Sequence, residues 1–268
     1  MKKTLTTQEL YLKSVRRTNY KILFWRIFIC IAFLILWEVC ARYDIINSFI
    51  FSSPSKLIHC FIDLLLNQEL FIQIGITLFE TTISFFLVTV ISLIFAVLLW
   101  KSRTFSKICE PYMVMLNSLP KSALAPLLIV WLGANYKTII LTGLSVAIFG
   151  SILNLYAGFL DVDAEKIKLI YTLNGTNRDA LYKVILPANI PNLFSIMKVN
   201  IGLCLVGVII GEFIAARQGL GYLIIYGSQV FKMDWVILSI LILCIIAMAL
   251  YLFLDLLEKH YNKTTSFS

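Results

Sequence analysis

Ionisable side chains do the work in both catalysis and solute handling, and here they are scarce wherever the sequence is apolar. Glu80, Lys121 and Glu212 each fall inside a long apolar stretch, where an ionised group costs about 2.5–3.5 kcal/mol on insertion scales. Two readings are open for Glu80, Lys121 and Glu212. They line a solute path, where Lys121 would suit an anion, or they hold a structural hydrogen bond or an ion pair between Lys121 and Glu212. Glu38 lies near enough to the end of its stretch for its carboxylate to reach water. Catalysis has no comparable signature. His59 and His260 lie outside the apolar stretches with no cluster of partners beside them. Six cysteines (Cys30, Cys40, Cys60, Cys109, Cys204 and Cys244) form no C-x-x-C pair, so they read as packing residues with no disulfide framework and no metal site. No G-x-x-x-x-G-K-[ST] phosphate loop occurs, so nucleotide hydrolysis is not assigned to this chain.

The elements that must position these residues follow from composition. Of 268 residues, 60% are hydrophobic and 14% charged, and the mean hydropathy is +0.88. A soluble domain carries about 45–50% apolar and about 25% charged residues. A water-soluble globule with this excess would expose large apolar patches, and a disordered chain would lack the 13% aromatic content. The composition is that of an all-α polytopic membrane protein.

Crossing the hydrocarbon takes about 20 mainly apolar residues, and six segments qualify: 22–40, 71–100, 112–132, 137–160, 193–216 and 234–257. These form one transmembrane domain, 22–258, between a tail at 1–21 and a tail at 259–268. The first segment exceeds a signal-peptide core and runs on through Trp37-Glu38-Val39-Cys40-Ala41-Arg42 with no small-residue cleavage site. It is read as a retained first helix. The net charge of +8 would suit nucleic acid in a soluble protein, but its distribution argues for topology and against a nucleic-acid partner. With the N-terminus inside, the cytoplasmic segments hold Lys2, Lys3, Lys13, Arg16, Arg17 and Lys21, then Lys101, Arg103 and Lys107, then Lys166, Lys168, Arg178 and Lys183, then Lys259 and Lys263. The outside segments hold only Arg42, Lys56, Lys137, Arg217 and Lys232. Retention of basic residues on the cytoplasmic side therefore predicts that both termini are cytoplasmic.

The connections carry further signals. Ser53 and Pro54 read as an N-cap and a first-turn proline, and Leu57, Phe61, Leu64 and Leu65 recur at helical spacing, predicting a helix at the outer interface. Leu119-Pro120-Lys121 and Ala125-Pro126 interrupt the third span, predicting a kink or unwound turn surrounded by protein or by a water-filled cavity. Gly207, Gly211 and Ala215, and Gly143, Ala147 and Ser151, recur every four residues as close-approach stripes. The fifth-span stripe faces either a partner subunit or a neighbouring helix of the same chain. The inside connection 161–191 is the longest. Ala164 to Leu173 has helical composition, Gly175 breaks it, and Thr176-Asn177-Arg178-Asp179 resembles a capping box opening a second helix. Pro187 and Pro191 are expected to stop that helix.

At this loop the sequence resembles a known family. Asn174-Gly175 followed by Val184-Ile185-Leu186-Pro187 is similar to the cytoplasmic loop of binding-protein-dependent ABC importer permeases. Leu119-Pro120-Lys121 through Ala125-Pro126-Leu127, and Ile129-Val130-Trp131-Leu132-Gly133, look like the third span of the nitrate/sulfonate/taurine-type branch. Asn154 to Ala157-Gly158 before Asp161-Val162-Asp163 continues the match. So do Gly211-Glu212-Phe213 and Gln218-Gly219-Leu220-Gly221-Tyr222-Leu223-Ile224. The similarity covers roughly residues 50–258. One departure concerns the Glu-x-Ala that usually opens the family's loop. Its places hold Leu169, Ile170 and Tyr171, and Glu165 is the nearest carboxylate.

The resemblance implies a type I importer-like permease that is not itself an enzyme. It would move a small solute such as nitrate, a sulfonate, taurine or a thiamine precursor by alternating access. It implies two cytoplasmic ABC ATPase subunits that bind ATP and magnesium, with no cofactor in this chain. A second permease subunit, identical or not, and a solute-binding protein outside the bacterial cytoplasmic membrane complete the set. The ATPase-coupling residues would be Glu165, Leu169, Ile170, Leu173, Gly175, Thr176, Asn177, Arg178, Tyr182 and Pro187. Glu80, Pro120, Lys121 and Glu212 are the pathway candidates. The alternative is an ion-coupled secondary transporter, which typically shows a matching pair of broken helices, whereas one broken span is visible here.

Overall fold

The computed structural model describes residues 7–67 and 69–265. Lys2 and Lys3 of the charge tally, and the end of the 259–268 tail, lie outside the described residues. Thirteen α-helices and one π segment account for all regular structure among the described residues. Five are long and apolar enough to cross a membrane. These are α1 (Thr7–Arg42, its apolar part Tyr20–Arg42), α4 (Glu69–Lys101), α7 (Tyr136–Leu160), α11 (Ile190–Ala215) and α13 (Met233–Thr265). The terminal segments expected as tails are largely helical, since α1 starts at Thr7 and α13 reaches Thr265.

The third predicted span is two helices, α5 (Arg103–Ser118) and α6 (Lys121–Leu132), bent by 96°. The break falls at Leu119-Pro120, where proline offers no N–H to continue the ladder and forces its predecessor out of the helical region. Pro111 and Pro126 are absorbed inside α5 and α6. Ser84 of α4 bonds the Ile140 carbonyl of α7, and Ser92 of α4 pairs with Ser151 further along. Residue numbers rise together, so α4 and α7 run parallel. The chain between them must therefore return across the bundle, which makes α5–α6 the sixth, broken crossing.

The centre is the triple of α4, α7 and α11. A Cβ at Gly207 would stand 2.8 Å from the Gly143 Cα, and one at Gly211 would stand 3.1 Å from the Ile139 Cα. The two small-residue stripes thus face each other within one subunit, which decides between the two readings of the fifth-span stripe. Lipid tails are as apolar as leucine, so association in the membrane depends on such close packing and on interhelical hydrogen bonds. The bonds are present: Asn200 of α11 donates to Ser151 of α7 at 2.8 Å, and Ser151 donates to Ser92 of α4 at 2.9 Å.

Around this triple, α12 (Leu220–Gln229) and α13 close one end together with α3 (Pro54–Leu66). As expected, Ser53 caps α3 by accepting from the Lys56 amide, with Pro54 in the first turn. Its inward face is Leu57, Cys60 and Leu64, while Phe61 is exposed. Helix α1 stays almost wholly exposed and contacts only α3 and the short α2 (Ser48–Phe51). Glu38 does more than reach water: it accepts from Ser55 N (3.1 Å), Ser55 Oγ (2.8 Å) and Arg42 Nε (2.7 Å), pinning α1 to the start of α3.

A wider side chain at the α7–α11 contact should be the most costly single change in the bundle. G207V is expected to lower the thermal midpoint of the detergent-solubilised protein, by an amount corresponding to about 1–3 kcal/mol of overpacking. G202A, where a Cβ meets nothing within 4 Å, should leave it unchanged.

Candidate functional site

Two groups of residues singled out by sequence lie at opposite ends of the bundle. At the end where α4 and α7 finish, α8 (Ala164–Thr172) begins under an Asp163 cap that accepts from Glu165 N. Its other end is a Schellman motif: Gly175 N donates to Ile170 O (2.8 Å) and Asn174 N to Tyr171 O (3.1 Å). The left-handed residue is Asn174, with φ 59, and not the glycine expected to break the helix. Gly175 is required for a different reason. A Cβ there would lie 2.5 Å from the Ile170 side chain and 2.8 Å from its carbonyl oxygen.

Thr176 then caps α9 (Asn177–Ala180) through the expected capping box with Asp179. Tyr171 Oη donates to Asn177 Oδ1 at 2.7 Å, tying the two short helices together. Lys183 at 2.8 Å, with Thr176 beside it, holds the Asp179 carboxyl well below the usual carboxylate range. That depressed value keeps the pair charged above the ordinary carboxylate pKa, and its contribution fades only as pH falls through the lowered one.

Pro187 does not stop this helix. The run continues as a π segment, Leu181–Ile185, and as α10 (Leu186–Ala188), then breaks at the single residue Asn189 before α11. The widened turn precedes a proline that cannot supply the usual amide. Both Pro187 and Pro191 sit in first turns of the helices that follow. Leu181 and Ile185 are buried with Leu155, Phe159 and Ile196 of α7 and α11. Leu169, Leu173 and Tyr182 are 60%, 73% and 67% exposed. Arg178 and Pro187 are also exposed, Ile170 is half-buried, and Glu165 sits at the far end of α8 from Gly175.

At the opposite end the buried acids separate from Lys121. Glu212 is 1% exposed. Its Oε1 accepts from Thr77 Oγ1 of α4 (2.7 Å) and its Oε2 from the Gly221 amide (2.5 Å). Thr77 in turn accepts from Leu220 N (2.9 Å), and Gln73 of α4 from Gly219 N. A carboxyl group from α11 thus caps the first turn of α12, where unpaired amides and the helix dipole favour an acceptor. Gly219 has φ 114, and a Cβ there would sit 2.5 Å from the Glu212 carboxyl. This is why Glu212 and the Gly219-Leu220-Gly221 run belong together. Lys121 makes no ion pair with Glu212. It opens α6, half-buried, with a 3.4 Å contact to Asn117 Oδ1, beside the exposed Pro120.

Sequence reasoning passed over Lys198. It donates to Asp255 (2.7 Å) and Glu258 (2.5 Å) of α13 and lies 5.6 Å from the Tyr251 ring. A lysine inside the fifth apolar run, facing carboxylates one turn apart at the end of the sixth, was the available signal.

Loss of the cap should be read locally. G219A and E212A are both expected to speed amide exchange at Leu220 and Gly221, because each buried donor left unpaired costs about 1–3 kcal/mol. Protection in the α7 core should persist.

With this geometry in hand, comparison with known proteins is direct. The family described as "Binding-protein-dependent transport system inner membrane component" matches residues 88–266. A putative aliphatic sulfonates transport permease of Bacillus subtilis is 26% identical over 228 residues, covering 85% of this chain and 83% of that protein. The taurine transport system permease of Escherichia coli is 22% identical over 232 residues, 84% of each. Among solved structures, a chain of the MetNI methionine ABC transporter, described in inward-facing conformations, superposes with a TM-score of 0.64 at 19% identity. That match covers 73% of this chain and 97% of the other. The chain therefore belongs to the family of inner membrane components of binding-protein-dependent transport systems, and it is a multi-pass ABC transporter permease.

Proposed function

We propose that the chain is the permease subunit of an ATP-driven importer for a small solute of the nitrate, sulfonate, taurine or thiamine-precursor kind, in a bacterial cytoplasmic membrane. The observation that carries this reading is the helical hairpin at 161–191. Its apolar residues Leu169, Leu173 and Tyr182 project away from the bundle, while Leu181 and Ile185 seat it in the core. An exposed apolar cluster on a firmly seated element is a surface for a partner, here one of two ATPase subunits carrying ATP and magnesium. The surplus of basic residues at this end supports a cytoplasmic orientation for it and for both termini.

Closure of the ATPase pair moves the hairpin, and the hairpin moves α7 and α11 with it, because close-packed elements shift as bodies and not by internal deformation. Docking would rest on apolar contact where the family's usual carboxylate is replaced by Leu169, with Arg178, Asn177 and Glu165 at the margin. A second permease subunit would cover α6, whose Val130 and Trp131 are 81% and 69% exposed. Pro120 and Lys121, at the break that opens α6, and Glu80 remain the proposed pathway residues, within the 22–258 permease domain. The Glu212 carboxyl is fully engaged in the α12 cap. Solute would arrive from a binding protein on the outer face.

The test is assembly. G175V, which cannot close the Schellman turn, and the pair L169D/L173D should each abolish co-purification of the ATPase and binding-protein-stimulated ATP hydrolysis. N174G should retain both. Solute uptake by the isolated chain down an ion gradient, without any ATPase, would overturn the proposal.

A further inference from the structure

At the outer end of the bundle, α4, α7 and α11 wall a cavity of about 660 Å³. Its lining combines two charges of opposite sign with aromatic faces. Glu80 belongs to the inner wall: it is 3% exposed, and its Oε2 has no hydrogen-bond partner among the described residues. Buried polar atoms almost always find a partner, so an orphaned carboxyl oxygen in a cavity wall marks a place for a donor that the chain does not supply. Arg217 lies at the exposed rim, in the short segment after α11, and forms no ion pair among the described residues. Phe79 and Tyr136 line the space with 58% and 57% of their surfaces exposed.

We infer that this cavity is a solute site selective for short zwitterions, in which a cationic or donor nitrogen meets Glu80 and a sulfonate or carboxylate meets Arg217. The inference rests on the permease reading and narrows its solute class. The pairing of charges makes the choice. A simple anion entering the cavity would bring its charge towards a buried acid, and a simple cation would have to pass a free guanidinium. A molecule carrying both ends satisfies both walls and leaves neither protein charge opposed, which is selection by repulsion of the wrong solute as much as by attraction of the right one. Guanidinium pairs with sulfonate and carboxylate through two parallel hydrogen bonds, and the aromatic faces suit the short apolar spacer between the two ends. The cavity exceeds a molecule of this size, which suits a passage that must release what it binds.

The test uses the permease with its ATPase partner in nanodiscs and without any binding protein, so that selectivity measured there belongs to the permease. Taurine and β-alanine are titrated calorimetrically beside their half-molecules, ethanesulfonate, propionate and ethylamine. Saturable binding of at least one zwitterion is expected, with every half-molecule at least about tenfold weaker, and about tenfold weakening in each of E80Q and R217Q. Arg217 stands at the rim and makes no packing contact that folding needs, so R217Q decides the matter if E80Q fails to fold. No binding of either zwitterion, a half-molecule that binds equally well, or unchanged affinity in R217Q would overturn the inference. Failure of the wild-type chain to hold an ATPase would overturn the underlying permease reading instead, and co-purification from the same preparation tells the two apart.

Discussion

The contact of Gly143 with Gly207 sets the spacing on which the rest of the bundle depends. In water, burial of apolar surface would drive α7 and α11 together. In lipid that force is missing, and what remains is dispersion between surfaces close enough to touch, with hydrogen bonds that have no competing solvent. Glycine at both positions lets the backbones approach until Ser151, Ser92 and Asn200 fall within bonding distance across three helices. Those bonds orient α4, and α4 in turn brings Thr77 and Gln73 to the Glu212 junction. Remove the close approach and the polar seam loses its register before any functional residue is touched.

Irregular backbone occurs where the surrounding protein can satisfy it. The 96° break at Leu119-Pro120, the π segment before Pro187 and the Gly219 turn each leave amides or carbonyls outside a regular ladder. Hydrocarbon would not accept them uncovered. The Gly219 turn is met by side-chain acceptors from α4 and α11, and Asn189 bonds the Ile185 carbonyl at the exit of the π segment. The places that break helical regularity are also those proposed to receive a partner or to move.

Much of this was legible in the sequence, because hydrophobic length is a strong signal when lipid is the solvent. The α3 cap at Ser53, the Thr176–Asp179 capping box and the break at Pro120 follow from local rules and stand as expected. Where sequence reasoning fell short, the missing information was spatial. Gly175 was legible as a glycine the loop requires, but its role comes from the nearness of Ile170, and the left-handed turn falls on Asn174. Pro187 was read as a stop, yet a proline in a first turn is compatible with a helix, and the widened turn before it absorbs the clash. Glu212 offered a path or an ion pair on paper. Only the fold shows that α12, a helix the outer segment did not suggest, begins against its carboxyl group. Lys198 was passed over because its partners are on α13, far away along the chain.

The single-residue break at Asn189 has a mechanical consequence. Between the hairpin and α11 there is no length of slack chain to absorb displacement, and α11 itself is an uninterrupted helix of 26 residues, about 39 Å long at 1.5 Å per residue. It behaves as a strut. A displacement applied to one of its ends on one side of the membrane reaches Glu212, near the other end, as tilt or translation of one stiff rod, and the α12 cap must travel with it. Signal transfer across the bilayer then needs no relay of rearranging side chains, and its speed is set by rigid-body motion of the helix against its neighbours.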